Sequence, residues 1–231
     1  MKTIGLIGGT GWVSTAEYYR IINQETNRRL GSLEFAKCIL YSLNYGDVDR
    51  CNQRGDREGI LKLLLKASEA LVTSGADCIL VCANTFHQFA DKLERSASVP
   101  LLHIAEAAAA ELKKRGLHKV GLLGTKQTME MDFYASKLQE ARVDVLTPEG
   151  VDREFIQQTI TKELLLGVFR EESRNRFLGI MNALRRRGAE GMVLACTEIP
   201  LLIKQEQTDV PLVDTLVVHA MAAVDFALAG G

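Results

Sequence analysis

The sequence predicts an α/β protein made of two pseudo-twofold related lobes, each a mostly parallel sheet flanked by helices, with the active site between them. Three observations carry this expectation. Short apolar runs alternate with amphipathic stretches of ten or more residues, the pattern of strands joined by crossover helices. The second half of the chain echoes the first in the same order. Only four prolines and no low-complexity tract interrupt the alternation, so no flexible linker is expected.

Taken in order, eight runs read as strands: "TIGLIG" (3–8), "AKCILYSL" (36–43), "DCILVC" (77–82), "VPLLHI" (99–104), "KVGLLGT" (119–125), "VDVLTP" (143–148), "GMVLAC" (191–196) and "VPLVDT" (210–215). Each is apolar or β-branched and most are bounded by turn residues. Amphipathic stretches at 14–29, 57–74, 105–115 and 154–166 read as helices between them. "KTIGLIGGTGWVSTAEYY" is echoed by "HKVGLLGTKQTMEMDFY", "SGADCILVCANT" by "RGAEGMVLACTE", and "SVPLLHIAEAAAAEL" by "DVPLVDTLVVHAMAAV", all at nearly one offset. Chance similarity between unrelated strand-helix units would not keep that offset. The expected division is a first lobe of 1–103 plus about 211–231 and a second lobe of 104–210. Open parallel sheets bind ligands beyond the carboxyl ends of their strands, where the segments beginning at Cys82 and Cys196 fall.

Composition removes several classes of function. The 231 residues are 47% apolar and 25% charged with a formal net charge of -1, enough for a sizeable core and no basic face. Nucleic acid and membrane surfaces are therefore not expected partners. No run reaches the roughly 20 apolar residues of a membrane span, and the N-terminus lacks a signal-peptide pattern, so a cytoplasmic location is expected. The five cysteines are odd in number and scattered, with no Cys-x-x-Cys pair, which predicts free thiols and no metal site.

Two of those cysteines close apolar runs, in "LVCANTFH" (80–87) and "LACTEIPLL" (194–202). With "GLIGGTGWVST", "VPLLHIAEA" and "GLLGT...TMEMDFY", these segments resemble the aspartate/glutamate racemase family of cofactor-independent amino-acid racemases, in order and across the whole chain. The resemblance implies an isomerase that needs no pyridoxal phosphate or other cofactor. It also implies a small amino-acid or dicarboxylate substrate held between the lobes, one catalytic group from each lobe, and a homodimer.

Removing an α-proton requires a base on one face of the carbon and an acid on the other, with fixed donors around the carboxylate to stabilise the carbanion. Cys196 is the expected base, its thiolate favoured if "TEIPLL" opens a helix behind it. A gapless alignment of the halves puts Ala83, not Cys82, opposite Cys196, where relatives carry cysteine or threonine. Side chains alternate along a strand, so Cys82 faces away unless a turn begins one residue early, in which case it substitutes as the second acid/base. The resemblance further assigns substrate contacts to Asn84 and Thr85, to Thr10 and Gly11, to Asn52 in a loop after the second strand, and to Thr125, Thr128, Thr197 and Glu198. Ordinary helix capping accounts equally for most of these polar residues. His87, His103 and His219 show no metal-ligand spacing and read as packed imidazoles. Leu164, Leu165 and Leu166 stand where members acting on acidic amino acids carry a basic residue, which widens the expected substrate to a broader polar set. Alternatives are a single-cysteine relative, such as a decarboxylase or a cis-trans isomerase, and an amino-acid-binding protein of weak activity. A nicotinamide enzyme, suggested by "GGTGWVS", lacks an acidic residue closing its second strand.

Overall fold

The computed structural model describes residues 1–229 and divides into two compact units, Met1–His103 with the chain from His219 onwards, and Ile104–Val218. Gly230 and Gly231, which the expected first lobe includes, lie outside the described residues.

The first unit runs β1 (Ile4–Gly8), α1 (Trp12–Leu30), β2 (Cys38–Ser42), α2 (Tyr45–Gln53), α3 (Arg57–Thr73), β3 (Cys78–Val81), a 3-10 turn at Asn84–Phe89, and α4 (Ala90–Ser96). Its strands form a parallel sheet in the order β2-β1-β3. The second unit runs α5 (Ile104–Arg115), β4 (Lys119–Gly124), α6 (Lys126–Glu130), α7 (Asp132–Glu140), β5 (Asp144–Leu146), α8 (Gly150–Lys162), a 3-10 turn at Leu164–Leu166 and α9 (Glu171–Arg186). It continues through β6 (Gly191–Ala195), α10 (Ile199–Leu202), a 3-10 turn at Gln205–Gln207, β7 (Leu212–Asp214) and α11 (Thr215–Leu228). Its parallel sheet has the order β5-β4-β6-β7. The crossover pattern is the one the alternating sequence predicts.

The internal repeat extends to sheet register. Ile4 faces Cys78 in the first unit, and their sequence counterparts Val120 and Gly191 face each other in the second. Likewise Ile79 pairs with Leu101 as Met192 pairs with Leu212. The two units differ at that last contact. The segment at 99–104, expected as a strand, makes only an isolated bridge at Leu101, whereas its counterpart β7 pairs three successive residues with β6.

β7 therefore belongs with the second sheet, and the chain returns to the first unit later than the expected residue 211, inside α11 between Val218 and His219. The helix expected over 154–166 also shifts. It begins at Gly150 and stops at Lys162, with the three leucines in a separate 3-10 turn ended by Gly167 at φ 74°.

Strands β1, β3 and β6 are buried along their whole length, which is why they read as unbroken apolar runs. Ile79 and Val81 face one core with Leu64 and Phe86. In the second unit Leu194 packs with Phe177 and Met181 on one side, and Val193 with Leu122 and Tyr134 on the other. Among the described residues no helix is long and apolar enough to cross a membrane.

One buried charge ties helices within the first unit. Glu25 of α1 is 8% exposed and accepts hydrogen bonds from Arg28 at 2.7 Å and Arg29 at 2.6 Å, while Arg29 also reaches Asp225 of α11. The Arg28 hydrogen bond, seconded by Arg29, holds the Glu25 carboxyl down at about 2. Between pH 4.5 and about 2 the unfolded chain holds a proton on this residue that the folded chain does not, so stability present above pH 4.5 is lost as the pH falls through that window. Urea denaturation at a series of pH values is expected to show this loss, with Glu25→Gln flattening it. A second expectation concerns Tyr134, whose fully buried hydroxyl has no hydrogen-bond partner among the described residues. Because an unsatisfied buried hydroxyl costs about 1–3 kcal/mol, Tyr134→Phe is expected to unfold at an equal or higher urea midpoint than the parent.

Candidate active site

Each sheet ends, at the carboxyl end of a central strand, in a loop that carries candidate residues. In the first unit β1 closes on Gly8-Gly9-Thr10-Gly11. Gly9 lies at φ 84°, and a β-carbon there would fall onto the Leu43 carbonyl, so the tight turn requires glycine. Thr15, one turn into α1, braces it by accepting from the Gly9 N–H at 3.0 Å and donating to the Gly11 carbonyl at 2.8 Å. This brace was not foreseen from the sequence, although the "GTGWVST" spacing places a hydroxyl where it is needed. Gly11 caps α1 without a side-chain hydrogen bond, and no acidic residue occupies the helix's first turn. Thr10, 7% exposed, has a buried hydroxyl with no hydrogen-bond partner among the described residues, beside that helix start. A helix start without a side-chain cap next to such a hydroxyl suits a carboxylate.

Along β3, Val81 and Ile79 turn towards one core while Cys82 occupies the opposite parity. The Cys82 N–H donates to the Ile7 carbonyl at 2.9 Å, and Ala83 is still extended at φ -154° and ψ 127°. β3 itself ends at Val81 and the chain bends at Cys82, yet Ala83, not Cys82, packs with Ile79 and Val81. Burial pushes the fully covered Cys82 thiol far up, with a smaller contribution from Cys38. Asn84 is buried and Thr85 half-buried at the start of the 3-10 turn. Asn52, expected in a loop, is instead an exposed residue of helix α2. The segment after β2 continues into helix because Asn44 caps it, its side chain accepting from the Gly46 N–H.

In the second unit Cys196 continues the face of Met192 and Leu194, while Ala195 falls with Val193 on the other. Cys196 and Ala83 are therefore equivalent positions of the two repeats, as are Ala195 and Cys82. Cys196 is 6% exposed, and its Sγ donates to Glu198 Oε2 at 3.2 Å. Thr197 Oγ1 donates to the same oxygen at 3.1 Å. All three side chains are buried.

The helix expected to favour the thiolate spans only Ile199–Leu202, less than the length that sums to a useful dipole. Burial, then the Glu198 charge, pushes the thiol well up. Amide hydrogen bonds from Glu198 and Ile199 pull the other way with less effect. Cys196 at rest is a neutral thiol whose proton is aimed at a carboxylate. Thr125 follows β4 and caps α6, in which Thr128 lies, and their hydroxyls are 3.0 Å apart. All five cysteines are free, and among the described residues no group of three His, Cys, Asp or Glu is placed to hold a metal.

Two parallel α/β units share strand register, and one of them ends its central strand in a buried thiol-carboxylate pair. The chain belongs to the Asp/Glu/Hydantoin racemase family, which it matches over residues 7–223. A solved structure from Yersinia pestis, described as a candidate Asp/Glu racemase, is 43% identical with a TM-score of 0.90, covering 99% of this chain and 100% of its own. The aspartate racemase homologue from Pyrococcus horikoshii OT3 is 35% identical with a TM-score of 0.84, covering 98% and 99%. A broad specificity amino-acid racemase from Bacillus subtilis (strain 168) is 22% identical over 98% of each chain. These relatives are named as racemases or racemase homologues, and racemases are isomerases.

The geometry of the thiol makes a prediction that does not depend on any substrate. Because the Glu198 charge raises the thiol, Glu198→Gln is expected to lower the pH at which Cys196 becomes reactive, read as the pH dependence of iodoacetamide labelling by mass spectrometry. An unchanged labelling profile would mean that the carboxylate does not act on the thiol.

Proposed function

We propose that the protein is a cofactor-independent amino-acid racemase, acting on aspartate, glutamate or a broader polar set, with Cys196 as the group that takes and returns the α-proton. The observation that carries this reading is the buried Cys196 thiol bonded to Glu198 at the end of β6, in a chain of this family. Transfer of the thiol proton to Glu198 leaves a thiolate, which removes the α-proton and becomes a thiol again while the electron pair stays on the α-carbon. A water on the other face then gives a proton to that carbon, and the hydroxide it leaves takes the proton held by Glu198, which completes racemisation and restores the resting pair. Thr197 holds the Glu198 carboxylate in place throughout.

In the first unit, Thr10 with the Gly11 start of α1, and Asn84 with Thr85, are the groups suited to a substrate carboxylate. Thr125 and Thr128 are placed chiefly as a helix cap. Leu164 is buried and Leu165 packs in the same core as Cys196, which agrees with a substrate set wider than the acidic amino acids. The proposal extends to a homodimer in the cytoplasm, tested by sedimentation velocity and by cell fractionation.

Ala83 favours a second reading. With no side-chain acid at that position, a single-cysteine reaction of the decarboxylase or cis-trans isomerase type uses the same Cys196. Proton NMR in heavy water separates the two, since loss of the α-hydrogen signal from an amino acid panel reports the racemase, and turnover of malonate-type or maleate substrates reports the relative.

Metal-free, pyridoxal-free protein is expected to exchange the α-hydrogen of at least one amino acid, and Cys196→Ser to abolish exchange while staying within roughly 1 kcal/mol in stability. Exchange that needs an added cofactor sinks the reading. General acid assistance is worth about 10²- to 10⁴-fold, so wild-type exchange should outpace net racemisation. Ala83→Cys should raise racemisation, and Cys82→Ala should change little. The reverse pattern would make Cys82 the second acid/base.

A further inference from the structure

Three of the protein's histidines meet inside the first unit. The His87 and His103 rings are edge to face with centroids 4.6 Å apart, and His219 approaches His87 at 5.6 Å. His219 is fully buried, His87 is 2% exposed, and His103 is 8% exposed.

Their hydrogen bonds fix the proton positions. His219 Nε2 lies 2.7 Å from the Leu102 carbonyl, which can only accept, so Nε2 carries the hydrogen. Burial, then His87, pushes His219 down to about 3, so the ring is neutral. Its Nδ1 must therefore accept, and the Tyr18 hydroxyl, 2.9 Å away, donates to it. His87 Nδ1 is 3.1 Å from the Ala83 carbonyl and by the same logic donates to it.

The cluster thus links four segments: α1 through Tyr18, α11 through His219, the end of the Leu101 bridge through Leu102 and His103, and the 3-10 turn through His87. Two of these carry the groups suited to a carboxylate. α1 starts at the Thr10-Gly11 turn, and the 3-10 turn holds Asn84 and Thr85.

We propose that His87 is a positioning residue for the substrate loop of the first unit. Through the histidine cluster it locks the Ala83–Phe89 segment to α1 and α11, and so sets how tightly the substrate carboxylate is held. The proposal rests on the racemase reading for its substrate, but the locking itself does not.

Kinetics of His87→Leu and His87→Asn test the role. Leucine removes both ring nitrogens, and asparagine keeps an N–H donor near the place of Nδ1. A loop that grips the carboxylate equally in ground and transition states changes KM more than kcat. His87→Leu is expected to raise KM about tenfold with kcat within about threefold, and His87→Asn to return KM to within about threefold of the parent. A folded His87→Leu with the parent KM, or a raised KM that asparagine fails to restore, overturns the proposal. Should leucine prevent folding, Tyr18→Phe removes the hydroxyl that donates to His219 and is expected to raise KM about threefold, an unchanged KM counting against the role.

Amide hydrogen exchange reads the locking without any activity. In the leucine variant, or in Tyr18→Phe, residues 83–89 should exchange about tenfold faster while residues 191–198 stay as in the parent. Unchanged protection at 83–89 overturns the lock. A parent protein with protected 83–89 and no racemisation of any amino acid removes the racemase reading and leaves the lock standing.

Discussion

Successive side chains of a β-strand point to opposite faces, and that two-residue period governs which groups of this protein can do chemistry. At the end of β6 it turns Cys196 to the face of Met192 and Leu194. At the end of β3 the same period turns Ala83 to the face of Ile79 and Val81, and sends the Cys82 thiol the other way. A thiol one residue from the equivalent position is therefore chemically remote from it. The chain bends at Cys82, but its N–H stays bound to the Ile7 carbonyl and Ala83 keeps to the face of Ile79 and Val81. The two repeats share register along β1 with β3 and β4 with β6, and they differ in residue identity at the strand ends and in how 99–104 and β7 pair.

Around Cys196, burial and charge set conditions that a surface thiol would not meet. Exclusion of water raises the cost of a thiolate, and the nearby carboxylate raises it further. The same low dielectric strengthens the hydrogen bond to Glu198 and any contact to charge that develops during a reaction. A thiol of this kind is protected from casual oxidation and alkylation, since reactivity follows thiolate character. Its proton is directed at Glu198 Oε2, 3.2 Å away.

Much of this was legible in the sequence because it depends on local pattern. Apolar runs gave seven of the eight expected strands; the eighth, at 99–104, shrank to a bridge since pairing strength beyond one residue depends on the neighbouring strand and not on the run itself. The Ala83 register followed from alignment alone. What escaped was set by length or by distant partners. A four-residue α10 cannot be told from a longer helix by "TEIPLL". Asn52 fell on a helix because a cap at Asn44 started one. Tyr18 and His219 are 201 residues apart, and no spacing rule joins them.

His219 is also where the chain re-enters the first unit, and this orders events during synthesis. The second unit is one uninterrupted stretch, so it is complete once residue 218 has left the ribosome. The first unit emerges earlier but lacks α11, which supplies His219 and Asp225, and it stays incomplete until those residues are made. The half translated first is the half finished last. A nascent chain of this design leaves the face of α1 that α11 will cover exposed until His219 and the residues after it have been added.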